Sequence, residues 1–165
     1  MHRYLTPILR LAIIGAILVG LFGQIVVIPG AIADEAAHFP PYERIVVPYT
    51  ILGILGVACV QVALGATWML LGMLGRDALF STRAFLWVDL IIGASLAGAL
   101  LTAGVTAHLA LTDMPFANGN MEAVAALGAA FLTTAMGTAF AMVVVLMRGL
   151  LRKATHLQAE MAGVV

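Results

Sequence analysis

The segment Phe85–Leu111, FLWVDLIIGASLAGALLTAGVTAHLAL, holds one carboxylate, Asp89, inside an otherwise apolar run. Crossing the hydrocarbon of a bilayer as a helix takes about 20 such residues. Three more runs, Leu11–Ala33, Ile45–Leu74 and Ala123–Met147, have the same character. They occupy most of the 165 residues, which leaves short connections and no soluble domain. With 63% hydrophobic and 10% charged residues, and a mean hydropathy of +1.11, the chain lies outside the range of water-soluble domains. The expected fold is an all-α membrane protein. Residues 1–165 would form a single membrane domain, a four-transmembrane-helix bundle, with a cytoplasmic or interfacial helical extension over 148–162.

Along the chain, Arg3 and Arg10 precede the first run, and Ala31-Ile32-Ala33 resembles a signal-peptidase site. The run exceeds the ~7–15 residues of a signal core, so it reads as an uncleaved anchor. Asp34–Arg44 reads as a polar loop in which Pro40 and Pro41 forbid a continuous helix. Pro48 is placed in the first turn of the second helix, where a missing N–H is tolerated. Trp68 fits an interfacial anchor. Thr112–Met121 has turn chemistry.

Basic residues set the expected orientation. Arg3, Arg10, Arg76, Arg83, Arg148, Arg152 and Lys153 fall on the N-terminus, the Gly75–Ala84 connection and the tail, against Arg44 alone on the other two loops. By the positive-inside rule both termini are expected to be cytoplasmic.

Lipid supplies no hydrophobic force between helices, so small residues mark the faces expected to touch. At about 100° per residue, four groups each share a sector. They are Ala12, Ala16, Gly20, Gly23 and Gln24 in the first run, and Gly53, Gln61, Gly65 and Gly72 in the second. The third has Asp89, Gly93, Ala97, Gly104 and His108. The fourth has Ala123, Ala126, Ala130, Thr134, Gly137, Thr138 and Ala141. Ser95, Thr102 and Thr106 form a second polar line on the third helix, with Gly98 opposite Asp89. That helix is expected to be the most buried.

Four intramembrane polar residues are candidate site residues: Asp89, Gln24, Gln61 and His108. Asp89 is either a proton- or cation-binding carboxylate in a transport path, or an acid of the N-terminal turn paired with Arg83, Arg76 or a tail base. Its position near a helix end favours pairing over a midplane site. His108 is about 28 Å along the same helix from Asp89, which excludes direct proton sharing, and reads as a capping or interfacial histidine. Gln24 and Gln61 are both mid-span and could hydrogen-bond to each other as structural glue. Arg76, Arg83, Arg148, Arg152 and Lys153 are candidates for contact with anionic lipid or a cytosolic partner.

Other chemistry is poorly represented. Asp34, Glu35 and His38 form only a sparse set of metal ligands, so no metal is expected. The lone Cys59 excludes an intramolecular disulfide. No GxSxG, HExxH, P-loop or dinucleotide fingerprint is present, so neither catalysis nor a cofactor is expected. A net charge of zero gives no electrostatic basis for binding nucleic acid.

Two segments carry a family resemblance. GRDALFSTRAFLWVDLIIG (Gly75–Gly93) and MRGLLRKATHLQAEM (Met147–Met161) resemble the bacterial integral membrane family called domain of unknown function 2975. Arg76, Phe80 and Ser81 match its basic residue and Phe-Ser pair, and Trp87 and Asp89 match its aspartate after a tryptophan. The resemblance implies four helices in a bacterial cytoplasmic membrane and no established activity. Members are often encoded beside a small helix-turn-helix regulator, which implies a membrane-tethered regulatory pair.

The expected function is that of a non-enzymatic interaction or regulatory membrane subunit. Its partners would be the bilayer, a second copy or another membrane protein, and a cytosolic regulator. The alternative is a small oligomeric proton-coupled transporter or channel using Asp89.

Overall fold

The structure is a computed structural model that describes residues 2–38, 43–74, 82–111 and 120–162. All of these are helical. Helix α1 spans His2–Phe22, a π-helical turn covers Gly23–Val27, and α2 continues over Ile28–His38. Then come α3 (Glu43–Leu74), α4 (Thr82–Leu111) and α5 (Asn120–Ala162). Four stretches are long and apolar enough to cross a membrane: Thr6–His38, Ile45–Met73, Arg83–Leu111 and Ala123–Thr155.

Helical structure runs past the apolar runs. Asp34–His38, read above as loop, is the last turn of α2, because a chain leaving an apolar phase keeps its backbone bonds until a residue forbids them. Pro40 and Pro41, which end it by the sequence argument, lie outside the described residues, as does the turn segment 112–119. Pro48 is not in the first turn, since α3 already starts at Glu43. Arg148–Ala162 is one helix with the fourth span. At 43 residues, α5 is about 65 Å long, twice the ~30 Å of hydrocarbon.

The π turn has a local cause. Pro29 has no N–H for the Ile25 carbonyl, and its ring crowds that carbonyl. The turn just before it widens, and Ile28 N–H donates to Gly23 O, five residues back.

Each helix packs on its neighbours in the chain. The α1/α2 rod lies on α3, α3 on α4, and α4 on α5. The spans lie side by side as a bundle requires, yet the row stays open: among the described residues α1 does not approach α4 or α5. The reason is visible on α3. Gln61, Ile54 and Trp68 face α1, whereas Cys59, about 160° around the helix from Gln61, faces α4. Of seven buried residues, Ala84, Ile91 and Ala94 belong to α4, which is the most enclosed span. Leucines, valines, phenylalanines and methionines elsewhere are exposed along the row, as lipid-facing surface should be.

Every seam holds one antiparallel register. Between α1/α2 and α3 it pairs Arg10 with Trp68, Gly20 with Gln61, and Ile28 with Gly53. Between α3 and α4 it pairs Tyr49 with His108 and Cys59 with Gly98. Between α4 and α5 it pairs Asp89 with Arg148, Ala99 with Gly137, and Thr106 with Thr134.

The sector reading is accurate for α5. Ala123, Ala126, Ala130, Thr134, Gly137 and Ala141 are the covered line, while Thr138 is exposed. It is wrong for α4. There Gly93, Ala97, Gly104 and His108 are exposed, and Gly98 and Ala99 make the contacts. Small residues occur on both faces of α4, so their spacing could not pick the packed side. On α1 the contact line is Ile13, Ile17, Gly20 and Gln24, with Ala12 and Ala16 exposed.

Candidate functional site

The strongest polar feature sits where α4 meets α5. Arg148 Nη2 donates to Asp89 Oδ2 at 2.8 Å, and Nε lies against Oδ1 as an ion contact, too oblique for a hydrogen bond. Local sequence explains the meeting. Arg148 continues the covered line of α5 one turn beyond Val144, and the antiparallel register brings it level with Asp89. The pair is only partly enclosed: 43% of the Asp89 side chain and 34% of the Arg148 side chain remain exposed.

Among the bases the sequence offers Asp89, the partner is therefore the first residue of the basic tail. Arg83 is exposed, and Arg76 lies outside the described residues. Helix α4 begins at Thr82, about two turns before Asp89. The acid is thus beyond the first turn, where the helix dipole acts. The counter-charge on α5 takes the dipole's place.

Gln24 and Gln61 do not bond to each other. Gln24 Nε2, in the π turn, donates to Ile54 O on α3 at 3.0 Å. Gln61 Nε2 reaches back to Ile17 O on α1 at 3.5 Å, a long and weak bond. Each amide crosses the seam to a carbonyl, which lies nearer in the register than the other glutamine. Hydroxyls within the spans are satisfied by their own helices: Ser95 donates to Ile91 O, and Thr106 to Thr102 O. Thr106 also meets Thr134 across the seam at 3.4 Å.

His108 is exposed at the far end of α4 and shares a 2.9 Å hydrogen bond with the Tyr49 hydroxyl on α3. The rings stand edge to face, with centroids 5.9 Å apart. The tyrosine was not singled out from the sequence, since without the register its distance from His108 in the chain carries no signal. His38 Nδ1 lies 2.8 Å from Asp34 O one turn earlier.

Arg10, a topology marker in the sequence, and Trp68, an interfacial anchor, come together. In the structure the Arg10 guanidinium lies over the indole, 5.4 Å from its centroid. The Nε atom is buried without a hydrogen-bond partner. Arg152 and Lys153 are exposed on α5, beyond Arg148.

The arrangement holds helices together. Each mid-span glutamine spends a donor on a backbone carbonyl, and the Asp89 carboxylate is spent on a guanidinium. Cys59 packs at the α3–α4 seam, its Cβ 3.6 Å from where a side chain on Gly98 would start.

Residues 30–165 match the model of a family described as a protein of unknown function, DUF2975. No curated protein and no solved structure matches the chain.

Proposed function

The chain belongs to the DUF2975 family, and from that premise we propose that it is a non-enzymatic interaction or regulatory subunit of the bacterial cytoplasmic membrane. Four apolar helices suggest a multi-pass membrane protein. The basic residues at one end of the row support a cytoplasmic position for both termini. On this reading, α5 carries Arg152 and Lys153 out of the bilayer into the cytoplasm, where a soluble regulator can bind. The observation that carries the proposal is the Asp89–Arg148 pair. A carboxylate held by an in-chain guanidinium serves assembly, and the Gln24 and Gln61 amides and the hydroxyls of Ser95 and Thr106 likewise bond within the chain. The open row leaves helix faces for a second copy or another membrane protein.

Crosslinking in native membranes followed by affinity capture tests the proposal. A specific companion or a stable oligomer is expected, and a strictly monomeric protein with no companion would refute it. A cysteine-reactive label on residue 165 should be reachable only from the cytoplasmic side.

One observation favours a second reading. The Asp89 side chain keeps 43% of its surface uncovered by protein, so the chain itself does not seal the carboxylate, as a proton-coupled transporter would need. Flux measured in liposomes separates the two. If transport is absent, or is unchanged by Asp89→Asn, Asp89 has no transport role.

A further inference from the structure

At one level of the row the antiparallel registers align Arg10, Trp68, Asp89 and Arg148. Two of these residues are cations, and their surroundings differ. Arg148 is neutralised by Asp89. For Arg10, no described carboxylate or carbonyl accepts from the guanidinium, and its buried Nε has no hydrogen-bond partner. Among the described residues packing positions the group, with the Trp68 indole on one side. Its Nη2 lies 3.8 Å from where a side chain on Gly72 would begin, so the glycine leaves room beside the terminal nitrogens.

Position narrows the ligand. Arg10 lies about 6 Å inside the start of its apolar span at Thr6, and Trp68 about 8 Å before the end of its span at Met73. Helical side chains lean toward the N-terminus, and Nη2 reaches Gly72, one turn beyond Trp68, so the guanidinium leans out of the hydrocarbon toward the headgroups. A stacked, planar cation at this depth, with room beside its amino groups, fits a phosphate diester better than a carboxylate from water. Arg83, Arg152 and Lys153, exposed at the same end, add attraction for an anionic leaflet.

We propose that the α1–α3 seam around Arg10 is a binding site for the phosphate of an anionic phospholipid, with the terminal amino groups of Arg10 as donors, Trp68 as the aromatic wall and Gly72 as the clearance.

The test presents the full-length protein with equal phosphatidylglycerol and phosphatidylcholine and counts retained lipids by native mass spectrometry. Wild type is expected to keep phosphatidylglycerol selectively. Arg10→Gln should lose it about tenfold, the scale of a charge-assisted hydrogen bond. Arg10→Lys should fall between, and Arg83→Gln, which removes only general attraction to the leaflet, should lose far less than Arg10→Gln. Lipid brominated near its glycerol should quench Trp68 emission in a Trp87→Phe background, and more strongly with the glycerol headgroup than with choline. That second readout needs no change at Arg10. Equal retention of the two lipids by wild type, full retention by Arg10→Gln, or equal quenching by the two headgroups would each overturn the proposal. So would displacement of the lipid by inorganic phosphate, which would make the ligand a soluble anion.

Discussion

Arg148 on α5 and Asp89 on α4 meet as an ion pair within two turns of the start of α4, with Nη2 donating to Oδ2 at 2.8 Å. Burial raises the cost of leaving either charge alone, and partial exposure limits it. Asp89→Asn or Arg148→Gln should each destabilise the protein in detergent by about 1–2 kcal/mol. The double variant should cost less than the sum of the two. A thermal or denaturant series on all four proteins gives the coupling, and strict additivity would show that the pair contributes nothing.

The two glutamines should differ. Gln24→Leu removes a 3.0 Å bond to Ile54 O, while Gln61→Leu removes one stretched to 3.5 Å to Ile17 O. Interhelical hydrogen bonds in membranes are worth about 0.6–2 kcal/mol. Gln24→Leu is expected near 1 kcal/mol and Gln61→Leu well below it. The same unfolding series ranks them, and the reverse order would contradict the geometry.

How far the sequence could be read depends on the kind of information each feature carries. Helix number and the paired status of Asp89 follow from hydropathy and from the cost of a carboxylate in hydrocarbon, both local properties. The contact face of α5 was also legible as the line through Ala126, Ala130, Thr134, Gly137 and Ala141, which is covered although Gly128, Ala129 and Thr133 lie exposed away from it. On α4 small residues occur on both faces, so Gly93 and Gly98 look equivalent until neighbours are in place. The partner of Gln24 turned on the register between α1 and α3, to which the π turn before Pro29 contributes. Register is a tertiary quantity, and it also hid the meetings of Tyr49 with His108 and of Arg10 with Trp68.

The Tyr49–His108 contact is exposed and bridges the beginning of α3 and the end of α4. Tyr49→Phe keeps the edge-to-face rings and removes the hydroxyl. The expected loss is at most about 0.5 kcal/mol, the low end for a hydrogen bond that exchanges with water. Amide exchange should rise only in the first turns of α3 and the last turns of α4. Faster exchange along the whole seam would mean that this contact organises the pair.

Glycines on the two kinds of surface should respond oppositely. A Cβ on Gly53 would sit 3.1 Å from Ile28 Cγ2, and one on Gly20 would sit 2.9 Å from Gln61 Nε2 and 3.3 Å from Val57 Cγ1. Gly53→Val should push α2 off α3 and cost about 1–3 kcal/mol, as overpacking does. Gly20→Ala should be milder, since the Gln61 amide can swing away. A Cβ on Gly104 meets nothing within 4 Å, so Gly104→Ala should stabilise the single chain by about 0.5–1 kcal/mol through helix propensity. If it weakens an oligomer instead, that face of α4 is covered by another chain.

The open row makes a last claim about coupling. The α1–α3 seam and the α4–α5 seam share no contact among the described residues, because α3 meets α1 and α4 on opposite sides. Gln24→Leu and Arg148→Gln act on those two seams. Distant, independent sites add to within about 0.3–0.5 kcal/mol, and the double variant should obey that bound. Cysteines at exposed Val19 on α1 and exposed Phe140 on α5, in a Cys59→Ala background, should form no disulfide within one chain. Efficient intrachain crosslinking, or coupling well above the bound, would mean that the row closes in the membrane and that the α1–α3 seam faces protein instead of lipid.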